Sequence, residues 1–499
     1  MLEGDKSLSA RTVAGLGWVI VWRTLSRVLG IGSTLALVRL LAPTDFGLVA
    51  LALSVTQAVE VLSLMGVQEA LVRLAEPTRD IYDTAFTLNL LRAAANAMVI
   101  AIVAWPIASF FGEPRLVPII LVTAGSIFLG GLENIGIIEF RRQLSFDREI
   151  VIRIMPRLIA IATTIAIAAL YRTYWALVVG SLVNRVTGVI MTYVFHPHRP
   201  RLTLVAHREL LGFSLWVWIV SLVGMLRDRI EVFLVGRLFN LTSVGVFSVA
   251  LEIATLPVSE ILQPLSHVLF STFSRASHDA DELRRLFLRF YGLAAATTVP
   301  VGIGLALLAD PIVHVLLGPA WLNAIPMIQA ISALGAVTSF GLICRSVLEA
   351  RGQMRAIFNV NVATTAIRLV AGLALVEWIG PLGAAFGYAI GAFFDQALLF
   401  HYTRQRLSVP LARLAGCLWR PVLASAAMVT AVIAIGLHLT PPDSNLPTIV
   451  VRMLAGVILG ASVYMFILWT AWRISGKPDG AETDMLQALR EALAKVGSK

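Results

Sequence analysis

An all-α polytopic membrane fold with about 14 transmembrane helices is what this sequence predicts. Three observations carry that expectation. The 499 residues are 58% apolar and only 14% charged, with mean hydropathy +0.83, whereas a soluble domain carries about 25% charged residues. Apolar stretches of about 20 residues, enough to cross a bilayer, recur along the whole chain. The basic residues behind the net charge of +10 gather on alternate connections, as loops kept on the cytoplasmic side do.

The stretches run near 13–41, 46–72, 84–110, 116–140, 149–170, 174–195, 210–238, 243–272, 286–309, 322–349, 356–378, 381–402, 417–438 and 448–472. Pro43, Pro77, Pro114, Pro197, Pro319, Pro381 and the Pro441-Pro442 pair punctuate them, because proline cannot continue a regular helix interior. With the first end inside, the cytoplasmic connections hold Arg73 and Arg79, Arg141 and Arg142, Arg199 and Arg201, Arg284 and Arg285, Arg351 and Arg355, and Arg404 and Arg406. The opposite loops hold Arg39, Arg115, Arg172 and Arg237, and those around 310–321, 379–380 and 439–447 hold no Lys or Arg. One missed span would invert every later loop, so the pattern predicts an even count with both ends cytoplasmic. A surface helix starting at Ser277 or Asp279 is expected to run into the ninth span. A short amphipathic helix is expected after Gly476, where Met485, Leu486, Leu489 and Leu493 recur at helical spacing.

One segment repeats at an offset of 198 residues. Arg39-Leu40-Leu41-Ala42-Pro43-Thr44-Asp45-Phe46-Gly47 closes the first span and opens the second; Arg237 through Gly245 does the same for the seventh and eighth. Trp18 then matches Trp216, Arg39 matches Arg237, Gly47 matches Gly245 and Ala52 matches Ala250. Six spans separate the copies, so both share one orientation, the pattern of a parallel repeat.

The Arg39–Gly47 turn resembles the R-x-L-G-P-x-x-[FY]-G signature of Wzx-type polysaccharide and O-antigen flippases, with Ala42 in place of the usual Gly. Arg141-Arg142-Gln143-Leu144-Ser145-Phe146 and Leu269–Arg275 are similar to that family as well. The resemblance implies the fold of the multidrug/oligosaccharidyl-lipid/polysaccharide exporter superfamily. Residues 1–208 and 209–410 would be two six-helix lobes about a central cavity, 411–475 two extra helices, and 476–499 a cytoplasmic tail. It implies a multi-pass protein of the bacterial inner membrane that carries undecaprenyl-diphosphate-linked oligosaccharide from the cytoplasmic to the periplasmic leaflet by alternating access. The product would be O-antigen, capsule or exopolysaccharide. Membrane lipids and the lipid-linked oligosaccharide would be its partners, beside a polysaccharide polymerase and a chain-length regulator, with no nucleic acid. Lipid II or cationic drugs are alternative cargoes within the superfamily, and a membrane glycosyltransferase or ligase is the alternative class.

Ionisable groups at mid-bilayer cost several kcal/mol unless they face a cavity or a partner, so they are the site candidates. Arg23 and Arg27 share one face of the first span, and Arg227-Asp228-Arg229 with Glu231 sit in the seventh. Ser54, Gln57 and Glu60 mark the second span, Ser248, Glu252 and Thr255 the eighth, and Asn361, Thr364, Thr365 and Arg368 the eleventh. Arginine suits a diphosphate because its planar fork bonds two oxygens and stays charged. Arg23, Arg27, Arg227, Arg368, Ser54, Gln57 and Thr255 are therefore the expected substrate contacts. Asp228, Glu252, Asp395 and Glu60 are the candidates for coupling to a proton or sodium ion. Internal pairs are the plainer reading: Arg227 with Glu231, Arg23 with Glu60, and Arg345 with Glu349 as a structural salt bridge. Arg153 and Arg157 are expected to snorkel to the interface.

Enzyme chemistry has no foothold here. No Walker A sequence, G-x-S-x-G or H-E-x-x-H occurs. His196 and His198 alone do not make a closed metal site. Cys344 and Cys417 lie in apolar segments and read as buried thiols. No cofactor is expected.

Overall fold

The computed structural model describes residues 25–62, 71, 78–142, 146–207, 215–441, 444–477 and 483. Every regular element among them is helical. Arg23 and the expected tail helix lie outside the described residues.

The chain divides into two compact units, Met1–Met225 with Gly236–Gly245, and Leu226–Val235 with Val246–Lys499. The first holds α1 (25–40), α2 (Pro43–Leu62), α3 (Arg79–Phe111), α4 (Leu116–Gly131), α5 (Phe146–Tyr171) and α6 (Trp175–Phe195). Next come α7 (Leu215–Leu238), whose middle belongs to the second unit, and α8 (Leu241–Arg275). The second unit continues with α9 (Ala280–Leu307), α10 (Ala324–Gly335), α11 (Thr338–Ala350), α12 (Met354–Ile379), α13 (Leu382–Leu407), α14 (Leu411–Ala434) and α15 (Leu446–Ile474). Nine of these helices are long and apolar enough to cross a membrane, or ten if α10 and α11 count as one span. The described chain is thus an all-helical, multi-pass membrane protein.

Local chemistry sets the helix ends. Asp279 caps α9 by accepting from the N–H groups of Asp281 and Glu282, which satisfies two of the orphan donors at a helix start. Those same bonds hold its carboxyl below the usual range. Gly112, at φ 67°, closes α3 in the left-handed conformation that glycine adopts without Cβ strain, and hands on to Glu113 and Pro114. Arg115 then grips Glu113 through two bonds of 2.7 and 2.8 Å, which lower the Glu113 carboxyl from its ordinary value.

Two expected helices are interrupted. The stretch 116–140 ends as α4 at Gly131; Asn134 then caps a 3-10 turn, Ile135–Ile137, by accepting from the Gly136 N–H at 3.0 Å. The stretch 322–349 bends by 42° between α10 and α11. There the Thr338 hydroxyl donates to the Gly335 carbonyl at 2.6 Å and meets an acceptor that the break frees.

In the first unit α3 packs on α4, α5 on α6, and α4 on both α2 and α6. Gly180 of α6 lets Thr164 of α5 approach to a distance no Cβ would allow. The turns of the repeat meet reciprocally. A Cβ on Gly47 would collide with the Leu241 carbonyl, and one on Gly245 with the Pro43 carbonyl. Positions 43 and 241, and 47 and 245, are each 198 apart.

After α6 the chain leaves the helices as an extended strap, 196–207, held on the start of α3. The N–H groups of Arg201, Thr203 and Ala206 donate to the side chains of Asp83, Thr87 and Thr84 at 3.1, 2.9 and 3.2 Å. In the second unit α9 packs on α10 and α14, α12 on α13, and α14 on α15. The Tyr464 hydroxyl ties α15 to α9 through the Ala296 carbonyl at 2.7 Å.

Candidate functional site

Among the described residues, intramembrane polar groups collect at two cavities, one in each unit. In the second unit, α7, α11, α12 and α13 enclose a cavity of about 240 Å³ lined by Arg227, Asp228, Arg345, Arg368, Tyr388, Asp395 and Gln396 among others. Arg368 of α12 forks onto Glu231 of α7, with Nε–Oε1 2.5 Å and Nη2–Oε2 2.7 Å. The two side chains are 6% and 3% exposed. The guanidinium also lies 4.5 Å from the Tyr388 ring centroid, and its stem occupies the place a Cβ on Gly391 would need. Arg227 bonds Asp228 at 3.0 Å, and reaches Asp395 at 3.2 Å and the Asn361 amide oxygen at 3.0 Å. Arg345 bonds the same Asn361 oxygen at 3.1 Å.

This geometry corrects two pairings. Glu231 takes Arg368 rather than Arg227, because Arg368 presents both donors of its fork while Arg227 turns to Asp228 and Asp395. Arg345 forms no salt bridge with Glu349 and spends its guanidinium on Asn361 across to α12. Thr364, also an expected cavity residue, contacts Asp395 at 3.3 Å. Of the candidate ion-coupling groups, Asp228 and Asp395 are therefore members of one network.

In the first unit, α3, the turn after α4, α5 and α6 line a larger cavity of about 630 Å³. Its charged lining consists of Arg153 and Arg157 of α5, Arg185 of α6, and Glu133 just after α4. Asn89, Asn184, Ser181 and Thr164 add polar groups. Arg185 meets Glu133 at 3.2 Å. Arg153 and Arg157 thus line a cavity instead of only snorkelling, since their i, i+4 spacing turns both toward α6.

The other expected contacts are dispersed. Arg27 is half-buried on α1 and influences Arg157. Ser54 is buried in α2 and donates to the Ala50 carbonyl at 2.8 Å. Gln57 and Glu60 are half-buried further along α2, Thr255 of α8 donates to the Leu251 carbonyl at 2.8 Å, and Glu252 is exposed. Sequence reading passed over Arg185, Asn184 and Glu133. The available signal was an arginine at the eleventh of the 21 residues of α6, where mid-span charge demands a cavity or a partner.

Comparison with known proteins agrees with this architecture. The lipopolysaccharide biosynthesis protein WzxC of Escherichia coli K12 is 22% identical over 400 residues, 79% of this chain and 81% of that protein. The succinoglycan biosynthesis transport protein ExoT of Rhizobium meliloti is 22% identical over 483 residues, 93% and 94% of the two chains. The solved structure of the lipid II flippase MurJ, in an inward closed conformation, superposes with TM-score 0.71 at 14% identity, covering 91% of this chain and 98% of that one. At that identity the likeness concerns the fold alone: the chain is an all-helical multi-pass protein that folds like that structure. ExoT is a transport protein by name, in line with the expectation that the chain is not an enzyme. Residues 36–326, more than half of the sequence, match the polysaccharide biosynthesis protein family, and the chain belongs to that family.

Proposed function

We propose that this chain is a flippase that carries an undecaprenyl-diphosphate-linked oligosaccharide from the cytoplasmic to the periplasmic leaflet by alternating access, feeding polysaccharide assembly. One observation carries the reading within its family: Arg157 and Arg185, set well inside apolar spans, line a cavity of the first unit. A guanidinium inside a membrane is expensive, and a diphosphate is the group whose paired oxygens its fork matches. The oligosaccharide would occupy the polar interior while the prenyl tail stays in lipid.

The helical segments support a 14-span reading in which α10 and α11 form one broken span. Residues 1–208 and 209–410 would then be six-helix lobes related by a parallel repeat, with α14 and α15 as the added pair and residues 476–499 as a tail. The reciprocal contacts of Gly47 and Gly245 favour that repeat, because equivalent positions meet equivalent positions. In this reading the protein lies in the bacterial inner membrane with both ends cytoplasmic. Asp228 and Asp395 are its candidates for ion coupling, and a polymerase and a chain-length regulator act on its product.

Depletion of the protein tests the reading. Undecaprenyl-diphosphate-linked oligosaccharide should accumulate in the cytoplasmic leaflet, where an impermeant probe reaches it in inside-out vesicles. Normal polymer with no accumulated intermediate overturns the proposal.

A further inference from the structure

The two cavities differ in charge and in size. The second unit sets three arginines, Arg227, Arg345 and Arg368, against three carboxylates, Asp228, Glu231 and Asp395. Its cavity of about 240 Å³ falls below the roughly 300–1,000 Å³ usual for ligand pockets. The first unit lines its cavity with three arginines and one carboxylate, and that carboxylate, Glu133, engages a single Nη of Arg185. At about 630 Å³ it sits well inside the ligand range.

Arg157 and Arg185 are poised and not spent. Arg157 makes no hydrogen bond among the described residues, and the charge acting on it is that of another cation, Arg27. A guanidinium offers five donors; Arg185 commits one of them, to Glu133. Arg157 lies about 10 Å by helical rise beyond Ile150, where the apolar span of α5 starts, and Arg185 at the middle of α6. Like charges gathered at that depth are costly unless an anion joins them.

Two glycines shape the arrangement. A Cβ on Gly30 of α1 would sit 2.6 Å from Nη2 of Arg157. One on Gly130 of α4 would sit 2.9 Å from Nη1 and 3.1 Å from Cζ of Arg185. Neither glycine has a positive φ, so helix geometry does not require it. Each leaves room for the tip of an arginine. Asn184, beside Arg185, turns an exposed amide to the same cavity, suited to sugar hydroxyls.

We infer that the first unit's cavity is an oxyanion site for a diphosphate ester, with Arg157 and Arg185 as its two forks and Gly30 and Gly130 as the positions that aim them. The assignment rests on the flippase reading for its natural ligand and on the cavity for its chemistry. The second unit's arginines, neutralised in place, hold helices together and do not bind the diphosphate.

The test uses the full chain in phosphatidylcholine nanodiscs with farnesyl diphosphate, farnesyl monophosphate and a glucuronate-containing trisaccharide as probes. Farnesyl diphosphate should bind more tightly than the monophosphate. Arg157→Gln and Arg185→Gln should each weaken it by at least about tenfold, the worth of one charge-assisted bond, and the Lys variants by less. Gly30→Ala and Gly130→Ala should weaken it about threefold with charge intact and helix propensity raised. They keep the test open if the Gln variants fold poorly. Arg473→Gln, whose guanidinium stacks on Trp469 at the end of α15, should change nothing. Wild-type affinity in all four cavity variants overturns the site. Trisaccharide binding that excludes farnesyl diphosphate also overturns it, by giving the oxyanion to the sugar. Lost diphosphate binding with normal oligosaccharide export overturns the site's part in transport and leaves the flippase reading standing. Intact, variant-sensitive binding in a protein that moves no lipid-linked oligosaccharide supports the site and sinks that reading.

Discussion

Replacing Arg368 with methionine strands Glu231 in a place that is 3% exposed. The carboxylate loses two bonds, of 2.5 and 2.7 Å, and gains no water. Breaking a buried pair by removing one partner costs about 3–5 kcal/mol, whereas replacing both partners with apolar groups is often neutral or stabilising by about 1–4 kcal/mol. Arg368→Met should therefore lower stability by about 3 kcal/mol or more. Adding Glu231→Leu should return most of the loss. The double-mutant cycle would show a coupling of at least about 2 kcal/mol, measured by denaturant unfolding of the purified protein in mixed micelles. Additive losses, or a single variant costing less than about 1 kcal/mol, would refute the structural role given to this pair. They would also reopen Arg368 as a substrate contact.

The remaining expectations concern other parts of the chain. Gly47→Ala and Gly245→Ala each drive a methyl into a backbone carbonyl, so each should cost at least about 1–3 kcal/mol by overpacking; near-wild-type melting of either would contradict the packing. Burial pushes the His198 imidazole below its ordinary value, against the pull of the Asp83 carboxylate 3.1 Å away. Above about pH 6.5 His198 is neutral with the strap docked or free, so docking is at full strength. As pH falls through the lowered value the free strap takes the proton more readily, and docking weakens. Exchange of the Arg201, Thr203 and Ala206 amides should accordingly speed up in acid, and a flat profile from pH 7 to pH 5 would count against it. Reporter fusions after residue 353 should score cytoplasmic and those after 316 and 443 periplasmic; one on the wrong side breaks the span count.

Fold class was legible because it rests on sums over many residues. Hydropathy and alternating arginines need no knowledge of which helix touches which. The recurring turn stands out in the sequence for a different reason: Gly47 and Gly245 sit where backbones nearly touch, and such places tolerate few residue types. Pairings were less legible. Arg227 and Glu231 have the spacing of a helical pair, yet each finds a partner on another helix, Asp395 and Arg368. Spacing reports neighbours on one helix and is silent about α12 and α13. Arg153 and Arg157 stood near a span end, where snorkelling is the default; only the packing of α5 on α6 turns them inward. Arg185 offered the plainest signal, a cation at the centre of an apolar span.

Flip-flop in a purified system tests the central claim most directly. Liposomes carrying a labelled undecaprenyl-diphosphate-linked oligosaccharide in both leaflets would be prepared with and without the protein. An impermeant reagent that destroys the sugar label would then report the fraction reaching the outer leaflet over time. With the protein, the inner-leaflet pool should become reachable, faster under an imposed ion gradient and more slowly with Arg157→Gln or Arg185→Gln. An inner pool that stays protected in protein-containing liposomes, as in empty ones, with or without a gradient, would contradict the account.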